Sequence, residues 1–218
     1  MKNQQVINEL IKILKERYGK DVRIKHLNDK EIFQVLIGTI LSQRTRDENS
    51  EKAAKNLFSV ADTPEKILKL SKKELETLIK PSGPYKQKAK RIKQISKIIL
   101  EKYKGKVPNS REELMELPSV GFKTSAIVLM YGFGIPAIAV DVHVEQISKR
   151  LGLVPQNAKP QEIEVKLEEL FPIDKWYIVN LGFVMFGKEI CLTRNPRCAI
   201  CRFNKFCPYG KLVLAKKI

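Results

Sequence analysis

Apolar side chains near the start of the chain recur at three- and four-residue steps. Val6, Ile7, Leu10, Ile11, Ile13, Leu14 and Tyr18 fall on one helical face, and Gly19 supplies a stop signal. The stretch from Ile32 to Leu41 is apolar almost throughout, which predicts a helix buried on all sides in the middle of the fold. After Asp47 a further helix directs Ala53, Ala54, Leu57 and Phe58 inward. Thr63-Pro64-Glu65 opens a short one, with Thr63 as cap and Pro64 in the first turn. Ser71 to Glu74 and Ser110 to Glu113 both have capping-box spacing. Between them, Lys86 to Lys104 points Ala89, Ile92, Ile95, Ile98 and Ile99 inward and ends at Gly105. Helices also start at Phe122, Val142, Pro160 and Asp174. Nothing alternates with the period of a strand, so the expectation is an all-α protein of about ten short helices with tight turns.

The chain has 218 residues, enough for one large domain or two small ones. Its charge changes the picture: 41 Lys and Arg against 24 Asp and Glu leave a formal +17, with a pI near 9.7. A surface this basic attracts polyanions, either nucleic acid or an anionic membrane face. No run of about 18 apolar residues exists to span a bilayer, and Met1 leads directly into an amphipathic helix rather than a signal peptide. The expectation is a cytoplasmic protein facing nucleic acid. Two segments concentrate the charge. Lys86 to Lys106 holds nine Lys or Arg and one acid, Glu101; Lys188 to Ile218 holds eight and one acid, Glu189. Either run alone reads equally well as a solvated helix face; together they describe a surface that tracks phosphates.

Leu117-Pro118-Ser119-Val120-Gly121-Phe122-Lys123-Thr124 joins two helices. Pro118 ends the first, and Gly121 permits a backbone geometry and close approach that a β-carbon would hinder. Backbone N–H groups around Val120 and Gly121 then cradle one phosphate at the positive end of the second helix. This is a helix–hairpin–helix clamp for a DNA backbone; the plainer reading is an ordinary junction between helices. Lys123 follows on the first turn. It is either a solvated lysine or, as a neutral amine beside a sugar, a nucleophile able to form a Schiff base. Asp141 ends the apolar run from Ile138 and precedes a helix. It reads as an N-cap, or as a carboxylate that stabilises positive charge developing on a deoxyribose.

The four cysteines stand at Cys191, Cys198, Cys201 and Cys207, with none in the preceding 190 residues. Two disulfides stapling a small secreted scaffold would be spread differently. One close Cys-x2-Cys pair with wider flanking gaps suits a 4Fe–4S cluster, although zinc or free thiols fit the spacing as well.

These motifs together resemble endonuclease III, within the helix–hairpin–helix DNA glycosylase superfamily. The likeness runs from the Ile37–Leu41 helix to Tyr209 and rests on Leu117–Thr124 with its lysine, Val140-Asp141-x-His143, and the cysteine spacing. It implies a bifunctional enzyme of base excision repair, acting as a monomer on double-stranded DNA that carries damaged bases or abasic sites. Oxidised pyrimidines are excised and the abasic strand is then cleaved by β-elimination. Lys123 would attack the sugar C1′ and Asp141 would assist departure of the base. The resemblance also implies a 4Fe–4S cluster on Cys191, Cys198, Cys201 and Cys207, with Arg194 and Arg197 on the cluster loop meeting DNA phosphate. It further implies two helical lobes flanking a DNA cleft: a six-helix lobe over 23–132, and a cluster lobe made of 1–22 plus 133–218.

This sequence departs from the family at the positions that fill the gap left by a flipped nucleotide. Arg44 occupies the place of the glutamine found in bacterial members, with Gln43 beside it, and Pro84 occupies the place of a wedge leucine. His143 either lines the pocket or is a hydrogen-bonded helix histidine. Trp176 is expected in the core, and Tyr85 is expected to pack rather than stack on a base. Two rival readings are a monofunctional mismatch glycosylase, whose relatives usually lack this lysine, and a helix–hairpin–helix DNA-binding protein without catalysis. The presence of both Lys123 and Asp141 argues against the second.

Overall fold

A computed structural model describes residues 2–19 and 27–215, and the expected lobe boundary near Arg23 lies outside them. Among the described residues there is no strand, and no helix is long and apolar enough to cross a membrane. The chain divides into two compact units, one of Met1–Arg23 with Pro136–Ile218 and one of Ile24–Ile135.

The discontinuous unit begins with α1 (Lys2–Tyr18). The Ile24–Ile135 unit contributes α2 (Asp29–Ser42), α3 (Asp47–Phe58), α4 (Pro64–Lys69), α5 (Lys72–Leu78), α6 (Tyr85–Tyr103), α7 (Arg111–Met115) and α8 (Phe122–Ile127). The chain then returns to the first unit with α9 (Val142–Arg150), α10 (Pro160–Leu170), α11 (Trp176–Glu189) and α12 (Pro208–Ala215).

Capping side chains fix the starts of several of these helices. The Asn28 side chain accepts from the Glu31 N–H while Glu31 reaches back to the Asn28 N–H, closing a capping box at α2. Ser71 and Glu74 do the same at α5, and Thr63 caps α4. In α2, Ile32, Phe33, Leu36, Ile37, Ile40 and Leu41 are buried, at helical spacing. The opposite side, with Gln34, Val35, Gly38 and Thr39, is only half-buried, so α2 is not enclosed on every side as its apolar composition suggests. It packs on α3 and on the π-helical turn Val128–Gly132 that prolongs α8, while α6 packs on α4 and α5. Along α6, Ala89, Ile92, Ile95 and Ile99 are buried and Ile98 is half-buried.

In the discontinuous unit α1 and α11 cross closely. A β-carbon on Gly182 of α11 would lie 2.9 Å from Leu14 Cδ2, so the glycine is what lets the two backbones approach. Phe183, Leu10, Leu14, Val144, Ile147 and Ile178 are among the core side chains here. Trp176 is half-buried against that core rather than inside it, and its indole Nε1 donates to the Phe171 carbonyl oxygen at 2.9 Å. A 3₁₀ turn at Ile173–Lys175 occupies the anticipated start of α11, and α12 follows the last cysteine.

Candidate active site and cysteine centre

The hairpin lies between α7 and α8 in the Ile24–Ile135 unit. Leu117 and Val120 anchor it with buried side chains, so Val120 has only its backbone to offer a ligand. Gly121 does not play the conformational part expected of it. Its φ of −111° is open to any residue, and a β-carbon there would meet no protein atom within 4 Å. The chain reverses instead at Ser119, which takes the left-handed region with φ 67°. Gln43 holds this reversal in place: its side-chain Nε2 donates to the Ser119 carbonyl oxygen at 2.9 Å and to Thr124 Oγ1 at 3.2 Å. Gly121 is the N-cap of α8 and offers no side chain to its first turn, which leaves N–H donors unsatisfied beside an exposed glycine. Lys123 is exposed on that same turn.

Asp141 belongs to the other unit. It caps α9, its Oδ1 accepting the N–H groups of His143 at 2.9 Å and Val144 at 2.8 Å. Both bonds fall on Oδ1, so the cap does not use Oδ2. The preceding segment Ala137–Val140 is buried, and buried Asn180 of α11 fixes it by donating to the Ala139 carbonyl oxygen at 2.7 Å. His143 lies half-buried against α11, where a β-carbon on Gly187 would stand 2.4 Å from Nδ1. That nitrogen is buried without a hydrogen-bond partner, so His143 is not the satisfied helix histidine of the plainer reading.

The four cysteines follow α11 in the same unit, and none is in a disulfide. Cys198 and Cys207 are buried, Cys191 and Cys201 half-buried. Burial pushes the Cys201 thiol up to about 11 and raises Cys207, with the neighbouring cysteines adding to both shifts. Among the described residues no three His, Cys, Asp or Glu converge closely enough to hold one metal ion. Donors aimed at sulfur are nevertheless present: Arg150 Nη1 lies 3.3 Å from Cys191 Sγ, and the Gly210 N–H donates to Cys207 Sγ at 3.3 Å. The Arg150 guanidinium also donates to the Leu192 and Thr193 carbonyl oxygens and stacks over the Tyr209 ring at 4.3 Å. Arg194 and Arg197 are exposed on the loop between the first two cysteines, on either side of Asn195 with φ 52°.

Gln43, Arg44 and Pro84, assigned separately from sequence, line one recess of about 400 Å³ with Gln87, Lys88 and Arg91. Arg44 is exposed and left-handed, with φ 53°. Pro84 is exposed at the N-terminus of α6, and Tyr85 behind it is half-buried.

The HhH-GPD superfamily of base excision DNA repair proteins matches residues 37–173. Endonuclease III of Thermotoga maritima is 47% identical over 204 residues, covering 94% of this chain and 93% of its own. That of Bacillus subtilis is 38% identical and covers 82% of both chains. This chain belongs to the endonuclease III family. Among solved structures, a trapped endonuclease III–DNA covalent intermediate with an estranged adenine superposes with a TM-score of 0.88 at 33% identity, covering 97% of this chain and 98% of the other. A thermostable thymine-DNA glycosylase reaches 0.85 at 29% identity over the same shares. The protein is thus a base excision repair DNA glycosylase with the all-helical endonuclease III fold.

Three residues of this endonuclease III family member escape sequence reasoning. Lys88 is only 2% exposed and sits inside a lysine-rich stretch that reads as solvated surface. Arg150 binds the first cysteine from 41 residues upstream, and Asn180 braces the segment before Asp141 from within an apolar helix. No local spacing announces any of them.

Proposed function

We propose that the enzyme removes oxidised pyrimidines from double-stranded DNA, working as a monomer, and then cleaves the abasic strand. The observation that carries this reading is the exposed Lys123 on the uncapped first turn of α8, directly after the hairpin. The hairpin N–H groups around Gly121 bind a backbone phosphate, and the open space above Gly121 permits that approach. The Lys123 amine, once neutral, attacks C1′ of the deoxyribose as the C1′–N bond to the base breaks. Asp141 stabilises the positive charge that develops on the sugar, using the carboxylate oxygen that its cap leaves over. Ring opening gives a Schiff base between Nζ and C1′. This imine acidifies the C2′ proton; its loss expels the 3′ phosphate, and water then releases the lysine and an unsaturated aldehyde.

Arg44, rather than Gln43, fills the gap left by the extruded nucleotide. Gln43 is already committed to the hairpin, whereas Arg44 is exposed beside Pro84 at one recess. Cys191, Cys198, Cys201 and Cys207 hold a 4Fe–4S cluster. The donor set fits: four thiols, none of them in a disulfide, two of which already accept N–H···S contacts. When bound, the cluster cross-links the loop that presents Arg194 and Arg197 to phosphate.

Borohydride trapping on a duplex with one thymine glycol tests the central claim. Wild type is expected to form a covalent complex and Lys123→Ala none. Folded wild type that cannot be trapped, yet removes mismatched bases without cleavage, would replace this reading with the monofunctional one.

A further inference from the structure

Lys88 is the one lysine of the α6 stretch that the fold buries this deeply. Its Nζ donates to three acceptors: the Leu41 carbonyl oxygen at 2.6 Å, the Ser82 carbonyl oxygen at 2.6 Å and Thr45 Oγ1 at 2.8 Å. An ammonium has three N–H donors, so all are used. The acceptors belong to two separate segments, the last turn of α2 with the turn that follows it, and the turn that precedes α6. Thr45 reinforces the link by donating to the same Ser82 oxygen at 2.6 Å. Contact there is close: a β-carbon on Gly83 would lie 3.3 Å from Thr45 Oγ1 and 3.5 Å from the Arg44 carbonyl oxygen. The first segment carries Arg44 in its left-handed conformation, and the second ends at Pro84.

We propose that Lys88 is a positioning residue that clamps the Arg44 turn to the Pro84 turn, so that both side chains enter the duplex as one rigid pair. Burial of the ammonium holds its affinity for protons below the ordinary lysine value, at about 8, with Arg91 adding repulsion. Arg44 also borders the recess it faces. The fold therefore retains a costly charge where an apolar side chain would serve packing alone. This inference rests on the reading of Arg44 and Pro84 as the residues that meet the gap.

The test measures binding of Lys88→Met to a duplex carrying an abasic analogue flanked by 2-aminopurine, together with cleavage of a single-stranded abasic oligonucleotide. Single-strand cleavage needs the lysine chemistry but no duplex gap to fill. The expected result is a loss of duplex affinity of about tenfold or more and a diminished 2-aminopurine signal, with single-strand cleavage within about twofold of wild type. Thr45→Val removes one acceptor and the Thr45–Ser82 bond without emptying the site, and should show the same selective loss should Lys88→Met fold poorly. In an Arg44→Ala background the effect of either change should vanish. Equal loss on single and double strands, or no loss at all, overturns the clamp. Full duplex affinity in Arg44→Ala itself overturns the gap-filling reading, while Lys123-dependent trapping would stand.

Discussion

The side-chain amide of Gln43 donates to the Ser119 carbonyl oxygen at 2.9 Å, tying the end of α2 to the one left-handed residue of the hairpin. A non-glycine residue in that region stores about 1 kcal/mol or more, and persists only where its surroundings hold it. Gln43→Ala removes this bond and the one to Thr124. The expected cost is about 1 kcal/mol of stability, with a weaker grip on damaged and undamaged duplexes alike. Denaturant melts paired with binding to both duplexes check it; a loss confined to damaged DNA would show that Gln43 itself meets the lesion.

Asp141 combines two roles that a single substitution separates. Asn caps helices as well as Asp does, so Asp141→Asn should leave the thermal midpoint nearly unchanged. Base removal should nevertheless slow by about 10²–10³, the usual cost of losing one electrostatic stabiliser. Asp141→Ala should add about 1 kcal/mol of destabilisation to the same kinetic loss. Single-turnover excision on a thymine glycol duplex, alongside thermal melts, reads both effects. Retained excision in Asp141→Asn would reduce the residue to its cap.

His143 and Gly187 form a matched pair. The β-carbon of Gly187→Ala would overlap the imidazole, and overpacking of this kind costs about 1–3 kcal/mol. His143→Ala in the same chain opens the space, so the double variant should be more stable than the sum of the single changes implies. Additive losses in a double-mutant cycle of unfolding free energies would mean that the contact is not what constrains Gly187.

Helix positions are legible in this sequence because their signals are local. Thr63-Pro64, Ser71 with Glu74, and the apolar spacing of α1, α2 and α6 each act within one or two turns. The parts that are not legible depend on partners far along the chain. Gly121 reads as the residue that needs special geometry because it is the glycine of the motif, yet Ser119 takes it, stabilised by Gln43 from 76 residues away. Lys88 reads as solvated charge because its three acceptors are backbone and hydroxyl oxygens brought together by the fold. The candidate chemistry at Lys123, Asp141 and the cysteines is readable since residue type and spacing carry it; the residues that brace those groups have no such signature.

The cysteine loop offers a prediction that separates folding from chemistry. Cys198 is buried, and its removal as Cys198→Ser would leave three thiols for the proposed cluster, which needs four. Visible absorbance and bound iron should fall together, and the protein should lose solubility or stability before it loses anything else. Arg194 and Arg197 lie outside that framework, exposed on the loop. Reversing both to Glu should therefore leave the brown colour intact while weakening damaged and undamaged duplexes equally. The salt dependence of binding should flatten too, by a slope of about 0.9 for each phosphate that is no longer neutralised. Should the charge-reversed protein bind both duplexes with wild-type affinity, the loop lies outside the DNA interface. A colourless, well-folded and fully active Cys198→Ser protein would instead remove the cluster from this fold.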